Sequence, residues 1–207
     1  MARPGAKDLY RDRAKKEGYP ARSVYKLREI QEKFKLLQPG DRVVDLGCHP
    51  GSWLLYCSGV VGPAGRVLGI DLKSPTVPLP AKVSFLQADV LRLSEGEIRN
   101  WARRADVVLS DLSPKTSGIK WLDHQRSLDL NFRALEVAGW LLKKGGRFLI
   151  KIFEGEGTRD FSRKMGEDFE AVRIHKPKSS RSESRENYFL GMAFKGIRPD
   201  SALSEKR

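Results

Sequence analysis

The chain has 207 residues, of which 40% are hydrophobic, and it carries a formal net charge of +13. This length suits one globular domain with a sizeable core, and no apolar run approaches the ~20 residues that span a bilayer. The N-terminus lacks the apolar segment of a secretory signal, and the two cysteines, Cys48 and Cys57, are too few for a disulfide framework or a zinc site. We therefore expect a cytoplasmic protein that spans no membrane, with both thiols in the core.

The positive charge is concentrated in two segments. Residues 1–35 carry eleven basic and five acidic side chains, and residues 173–185 carry five basic side chains and one acidic. Segregated positive charge is typical of a nucleic-acid-binding surface, although charge alone also allows a solvated basic surface.

The N-terminal region divides into an arm and a helix. Residues 1–20 are polar and basic and contain Gly5, Gly18 and Pro20, which predicts a loosely ordered arm. Apolar residues then recur at helical spacing over residues 21–36, and Pro39-Gly40 ends the helix. We expect a single domain over residues 21–197 and a flexible tail over residues 198–207.

Strands and helices alternate through the rest of the chain. The apolar runs predict strands at 42–47, 66–72, 83–89, 106–111, 147–153, 169–175 and 187–194. Helical patterns fall at about 52–60, 123–142 and 159–168. This order predicts an α/β fold, with a mostly parallel seven-stranded sheet and helices on both faces.

Polar residues mark the ends of the first five predicted strands. Asp45, Asp71, Asp89 and Asp111 stand at the ends of the first four, and Lys151 lies within the fifth. One such acid alone is more simply a helix cap or a turn carboxylate. Four in succession indicate a ligand site, because ligands of open α/β sheets bind beyond the carboxyl ends of the strands.

The loop after the first strand narrows the ligand class. Residues 45–53 read DLGCHPGSW, which matches neither the G-x-G-x-x-G fingerprint nor a Walker-type phosphate loop. The two glycines still allow close approach of a ligand, so the loop favours a nucleoside without phosphates, such as S-adenosylmethionine. Asp71 then suits the ribose hydroxyls and Asp89 the adenine amine, whereas Trp53 either flanks the pocket or belongs to the core.

Lys151 is anomalous because the run RFLIKIF around it is apolar on both faces. A buried lysine is rare unless it is paired, since desolvation of its charge is costly. Carboxylates near Lys151 are therefore expected.

Five segments, in chain order, resemble the FtsJ-type ribose 2′-O-methyltransferases: SVYKLREIQ, VVDLGCHPGSW, SDLSP, FLIKIF and KPKSSRSESRENYFLG. The resemblance covers about residues 8–196 and implies a Rossmann-like, S-adenosylmethionine-dependent methyltransferase fold. It implies four catalytic residues, Lys26, Asp111, Lys151 and Glu186, which we call the tetrad. It also implies cofactor-binding residues, which are Gly51, Trp53, Asp71, Asp89 and Asp111. Cys48-His49 and Ser52 depart mildly from the family pattern.

The tetrad suits removal of a proton from a ribose 2′-hydroxyl, for which a general base must present a neutral amine. We hypothesise that Lys151 is this base and that Asp111 and Glu186 orient it and Lys26. Burial and neighbouring positive charge favour the neutral amine whereas the carboxylates oppose it, and the sequence leaves that balance open. Read alone, Lys26 is a solvated charge and Glu186 a surface acid.

We expect no metal, because His49, His124 and His175 are scattered and form no Cys/His cluster. Tyr188 either stacks or packs near the target ribose or base, or it is an ordinary strand residue. The resemblance implies a uridine of 23S rRNA in the large ribosomal subunit as substrate, and we expect a monomer. Two alternatives remain at this point, which are a transfer RNA 2′-O-methyltransferase and an inactive RNA-binding module for ribosome assembly.

Overall fold

A computed structural model of the protein describes residues 9–101, 104–180 and 184–196. The helices are α1 (Leu9–Lys16), α2 (Val24–Phe34), α3 (Ser52–Val61), α4 (Glu95–Trp101), α5 (Lys120–Leu141) and α6 (Thr158–Asp168). The strands are β1 (Arg42–Leu46), β2 (Arg66–Asp71), β3 (Val83–Gln87), β4 (Ala105–Ser110), β5 (Leu142–Phe153), β6 (Phe169–His175) and β7 (Glu186–Phe194).

The seven strands form one sheet in the order β3-β2-β1-β4-β5-β7-β6. Strands β1 to β5 pair in parallel, and β7 runs antiparallel between β5 and β6. The predicted α/β fold with a mostly parallel seven-stranded sheet is confirmed. The order reverses between β1 and β4, which is where an open α/β sheet forms its ligand crevice.

Each face of the sheet packs against its own helices, because side chains along a strand alternate between the two faces. Val44 and Phe148 belong to the cluster that includes Ala138 of α5. Val43 and Leu149 belong to the opposite cluster, formed with α2 and α3. Both cysteines are free and buried in that second cluster, as expected. Burial on both faces explains the continuous apolar runs of the central strands.

The structure differs from the sequence-based expectations in four places. Residues 9–16, expected within a loosely ordered arm, form α1, whose Ala14 is buried. Helix α4 was not predicted, β3 ends two residues before Asp89, and β5 starts at Leu142, so Gly145-Gly146 lies within a strand. Residues 1–8 and the expected tail at 198–207 lie outside the described residues. Within the described part of the chain, no helix has the length and hydropathy needed to cross a bilayer.

Candidate active site

A cavity of about 600 Å³ opens at the carboxyl ends of β1 to β4. It lies at the reversal of strand order, where the sequence pattern placed a ligand. Asp71, Asp89 and Asp111 line it, so three of the predicted cofactor residues share one cavity. The other lining residues are Gly47, His49, Leu72, Lys73, Ala88, Val90, Leu91, Leu112, Ser113, Pro114, Lys115, Arg126, Asp129 and Leu130.

Backbone amides hold the two carboxylates on the β2 and β3 side of the cavity. Asp71 accepts hydrogen bonds from the amides of His49 and Lys73, at 2.9 Å to one oxygen each. Asp89 Oδ1 accepts from the amide of Leu91 at 3.0 Å. Because a carboxylate has about four acceptor positions, both side chains keep acceptor capacity for a ligand.

Apolar side chains lie beside these carboxylates. Leu72 follows β2 and is 59% exposed, and Leu91 follows Asp89 and is 52% exposed. Both line the cavity, as does the buried Val90. A flat apolar ligand such as a nucleobase would cover exposed leucine surface while its polar edge reached a carboxylate.

The structure places Gly51 and Trp53 outside the cavity lining. Gly51 is the N-cap of α3, with a φ of 113° that favours glycine. The Trp53 side chain is buried among core residues, and its indole Nε1 donates to the carbonyl of Ser23 at 3.0 Å. The indole ring of Trp53 therefore belongs to the core. A cofactor role for Gly51 or Trp53 stays a prediction.

The predicted tetrad forms two ion pairs. Lys151 Nζ lies 2.9 Å from Asp111 Oδ1 and also donates to the Asp111 carbonyl at 3.0 Å. Lys26 Nζ lies 2.5 Å from Glu186 Oε1. Lys151 and Glu186 are each only 7% exposed, so the carboxylates expected near the buried lysine are present.

Strand register explains why residues from distant parts of the chain meet. In the antiparallel β5–β7 pair, Lys151 lies opposite Tyr188 and Phe153 opposite Glu186. Residues 186 and 188 point to the same face of the sheet as Lys151, because side chains alternate with a period of two. This is the face against which α2 packs, so Lys26 on α2 can reach Glu186.

The charge of Glu186 is stabilised despite its burial. Burial raises the pKa of this carboxyl, but hydrogen bonds from Lys26 and Ser180 and the nearby charge of Lys151 outweigh it, so the pKa lies below its ordinary value. The hydroxyl of Ser180 donates to Oε1 at 2.7 Å. Glu186 is therefore ionised at neutral pH and holds the ammonium group of Lys26.

Comparison with known proteins agrees with this geometry. Residues 19–194 match the family model described as FtsJ-like methyltransferase. The chain is 46% identical over 190 residues to ribosomal RNA large subunit methyltransferase E of Desulfatibacillum aliphaticivorans, with 92% of each chain covered. It is also 46% identical over 193 residues to the protein of that name from Oleidesulfovibrio alaskensis, with 92% and 93% covered. The chain belongs to the FtsJ-like methyltransferase family.

Two solved structures share the fold of this FtsJ-like methyltransferase. One, from Plasmodium falciparum, is assigned as a ribosomal RNA methyltransferase and has a TM-score of 0.76 at 26% identity, with 86% of this chain and all of that chain covered. The other is Aeropyrum pernix fibrillarin with natively bound S-adenosyl-L-methionine, with a TM-score of 0.60 at 15% identity and coverage of 82% and 76%. The expected methyltransferase family and Rossmann-like methyltransferase fold are confirmed.

Tyr188 has a role in this FtsJ-like methyltransferase that the sequence did not reveal. Its ring is fully buried and lies 6.1 Å from that of Trp53, so Tyr188 cannot stack on a substrate base. Its hydroxyl donates to Asp111 Oδ1 at 3.1 Å, and burial raises the pKa of the phenol well above its ordinary value. Tyr188 thus remains a hydrogen-bond donor that helps to hold Asp111. The feature of the sequence that could have indicated this role is the position of Tyr188 two residues after Glu186, which puts both side chains on one face of a strand.

Asp45, on β1, also differs from what the sequence pattern predicted. Its side chain is fully buried, and neither carboxyl oxygen has a hydrogen-bond partner among the described residues. Burial, with added repulsion from Asp111 and Asp71, raises the pKa of Asp45 well above its ordinary value. Burial thus favours the protonated form of Asp45, although the sequence pattern grouped it with the other strand-end acids.

The three histidines lie in separate places. The imidazole Nδ1 of His49 is 3.0 Å from the carbonyl of Ser74, and Nε2 of His124 is 2.6 Å from that of Glu156. Nε2 of His175 pairs with Glu29 at 3.0 Å. Across residues 9–101, 104–180 and 184–196, no group of three or more His, Cys, Asp or Glu side chains is arranged to hold a metal ion.

Proposed function

We propose that this chain transfers a methyl group from S-adenosylmethionine to a ribose 2′-hydroxyl of RNA, and that the substrate is a uridine of 23S rRNA in the large ribosomal subunit. One observation carries the proposal. The Asp111 carboxylate lines the cavity suited to the cofactor and also contacts Lys151 Nζ at 2.9 Å. The methyl donor and the proton acceptor would therefore meet at one carboxylate.

The cavity fits S-adenosylmethionine in size and in chemistry. Its volume of about 600 Å³ is within the range of small-molecule sites, about 300–1,000 Å³. Asp71 would accept from the ribose hydroxyls, Asp89 from the adenine amine, and Leu72 and Leu91 would contact the base. When bound, S-adenosylmethionine supplies an electrophilic methyl group on a positively charged sulfur.

Lys151 is the general base of the proposed mechanism. Lys151 Nζ, in its neutral form, would accept the proton of the ribose 2′-hydroxyl while the ribose oxygen bonded to the methyl carbon. The bond between that carbon and the sulfur would break at the same time, and its electron pair would stay on the sulfur, which would leave as a neutral thioether. The carboxylate and carbonyl of Asp111 fix the position of that amine. Glu186 holds Lys26 on the same face of the sheet, where Lys26 would contact the RNA ribose or phosphate. Correct placement of the hydroxyl and the methyl carbon supplies much of the rate.

Exposed positive charge beside the tetrad supports an RNA substrate. The segment that precedes Glu186 carries Arg173, Lys176, Lys178 and Arg185, all exposed. Such side chains bind phosphates, with an affinity that falls as salt rises and depends little on sequence. The relatives are named for methylation of large-subunit ribosomal RNA, which makes this RNA the first substrate to test.

The decisive experiment compares Lys151→Ala with the native protein. Transfer of labelled methyl groups is measured on large-subunit particles that lack the modification and, separately, on transfer RNA. The variant is expected to lose about 10²-fold or more of its kcat, because general base catalysis contributes 10²–10⁴-fold. Its affinity for S-adenosylmethionine should stay within a few-fold. Lys144→Ala is the matched control, since Lys144 is an exposed lysine on the same strand.

Three results would contradict the proposal in different ways. Full activity of Lys151→Ala would remove Lys151 as the base. Methylation of transfer RNA but not of the particles would refute the proposed substrate. Binding of S-adenosylmethionine without methyl transfer to any RNA would refute the proposed function and support an inactive RNA-binding module.

A further inference from the structure

Two large apolar side chains are exposed at the start of α5. Trp121 is 69% exposed and Ile119, two residues earlier, is 51% exposed. Single exposed apolar residues are common on protein surfaces, but two large ones within three residues expose an unusual amount of apolar surface, and we call these two side chains the patch. Such a patch beside a functional site indicates an interaction surface.

The backbone before Trp121 is held without help from the tryptophan ring. The Asp123 carboxylate accepts from the amide and hydroxyl of Ser117, at 2.6 and 2.7 Å, and from the amide of Gly118 at 3.1 Å. The hydrogen bonds from Ser117 lower the pKa of Asp123, which keeps this acceptor ionised. The turn is therefore preorganised by polar contacts, and the exposed ring is free to contact a partner.

Along the chain, the patch lies between residues that line the cavity and a residue bound to the loop after β5. Pro114 and Lys115, which precede it, line the cofactor cavity. One turn after it, Nε2 of His124 lies 2.6 Å from the carbonyl of Glu156, in the loop that follows β5 and its Lys151. Ile119 and Trp121 thus lie on the segment that follows the carboxyl end of β4 and that contacts, through His124, the loop after the carboxyl end of β5.

The charge around the patch favours RNA as the partner. Lys115 and Lys120 are both exposed on this segment, and each adds a positive charge next to the apolar surface. An aromatic ring flanked by cations is the usual arrangement for an unpaired nucleotide, in which the base stacks and the phosphate meets the cation. A purely apolar protein partner would gain nothing from the two lysines.

The geometry points to Trp121 as a stacking platform for an unpaired RNA base next to the methylated nucleotide, with Ile119 at its edge and Lys115 and Lys120 contacting phosphates. The inference rests on the proposed function and extends it, because it assigns a binding site for a neighbouring nucleotide. In this arrangement the platform supplies RNA affinity and orientation and takes no part in proton transfer.

The test uses the full chain and three variants, which are Trp121→Ala, Trp121→Phe and Lys120→Ala. Affinity is measured by fluorescence anisotropy with a labelled, protein-free RNA hairpin whose loop is single-stranded, over a series of salt concentrations. Trp121→Ala is expected to weaken binding about tenfold, as the loss of one base–aromatic stack does, and Trp121→Phe to keep most of the affinity. Cofactor affinity and thermal stability should not change.

Salt dependence separates the platform from simple charge. Trp121→Ala should leave the slope of log affinity against log salt unchanged, because stacking releases no counterions. Lys120→Ala should reduce that slope by about 0.7–1, as expected for one lost phosphate contact. A lower slope for Trp121→Ala, or native affinity of this variant for the hairpin, would overturn the platform.

The outcomes for the platform and for the proposed function are distinct. If the native protein binds the hairpin and methylates particles while Trp121→Ala equals it in both assays, the platform fails and the function stands. If Trp121→Ala binds the hairpin normally but binds particles weakly, the patch contacts a ribosomal protein and the RNA platform is wrong. Absence of methyl transfer by the native protein would refute the function, whereas the hairpin affinities would still test the platform.

Discussion

Replacement of Glu186 by glutamine tests how strongly the tetrad is held together. The amide is nearly isosteric with the carboxylate and can still accept the hydrogen bond of Ser180. The ionic contact with Lys26, at 2.5 Å, is lost. Lys26 is then left as an unpaired ammonium group whose side chain is only 14% exposed.

The expected loss of stability follows from this partial burial. Breaking a fully buried ion pair costs about 3–5 kcal/mol, whereas an exposed pair contributes about 0–1 kcal/mol. With side chains 14% and 10% exposed, this pair falls between the limits, so we expect Glu186→Gln to lower the free energy of unfolding by about 2–3 kcal/mol. For a chain of this size, this corresponds to a drop in Tm of about 4–12 °C.

The loss of stability caused by Glu186→Gln should depend on pH. The pKa of Glu186 in the folded protein lies below the ordinary value of 4.5, so the folded state favours the ionised form. Its contribution to stability is complete above the unfolded-state pKa and is lost as the pH falls through the folded-state pKa. The difference in unfolding free energy between native protein and variant should therefore be constant above about pH 5.5 and shrink below about pH 4.5.

Chemical denaturation at a series of pH values measures both effects. Asp160→Asn is the control, because Asp160 pairs with Arg163 at 3.0 Å with both side chains largely exposed. That variant should change stability by no more than about 1 kcal/mol. A Glu186→Gln protein as stable as the native protein at pH 7, or a deficit that persists undiminished at pH 3, would refute the argument.

Three further variants test other contacts of the site. Tyr188→Phe removes a hydrogen bond to the carboxylate of Asp111, so the free energy of unfolding should fall by about 1.5–3 kcal/mol and kcat should also fall. An unfolding free energy and a kcat equal to those of the native protein would contradict a role for this hydrogen bond. Asp45 binds its proton more tightly in the folded state, so stability present below pH 3.8 is lost as the pH rises towards its raised pKa. Asp45→Asn should remove this dependence of the unfolding free energy on pH, which amounts to about 1.4 kcal/mol per pH unit. An equal pH dependence of the unfolding free energy in variant and native protein would contradict the argument. Arg133 donates to the carbonyl of Val90 at 3.0 Å and lies over the ring of Trp140, and Val90 lines the cavity beside Asp89. Because Arg133 thereby positions the backbone next to Asp89, Arg133→Ala should raise the KM for S-adenosylmethionine several-fold and leave kcat within about twofold. Equal KM values for variant and native protein would exclude this positioning role.

The sequence predicted those parts of the molecule that depend on local pattern. The alternation of apolar runs and helical spacings was sufficient for the seven strands and for the α/β class. Lys151 could be singled out because a charge within a strand buried on both faces needs a partner, and Asp111 is that partner. Carboxylates at successive strand ends likewise indicated the cavity, because parallel strands share one carboxyl edge.

Features that depend on long-range packing could not be predicted in this way. Polar composition and turn residues suggested a loose arm, but Ala14 of α1 packs beside Val24 and Tyr25 in a small cluster of its own. Asp45 resembles the other strand-end acids in sequence, yet complete burial raises its pKa well above the ordinary value. Tyr188 contacts Asp111 only because the β5–β7 register sets it opposite Lys151, and pattern analysis does not give antiparallel register.

The position of Lys26 is the strongest case of such non-local control. Helix α2 is fixed at its start by the hydrogen bond from Trp53 to the Ser23 carbonyl and along its length by Glu29, which accepts from the amide of Lys178 at 2.9 Å and pairs with His175. These contacts join α2 to α3 and to the segment that leads from β6 into β7. Since that segment also delivers Glu186, the same contacts that orient α2 bring the lysine and the carboxylate together. The Lys26–Glu186 pair is thus a consequence of how three distant segments pack. A substitution of Glu29 that removes its contacts with Lys178 and His175 should therefore separate the pair, although it changes neither Lys26 nor Glu186.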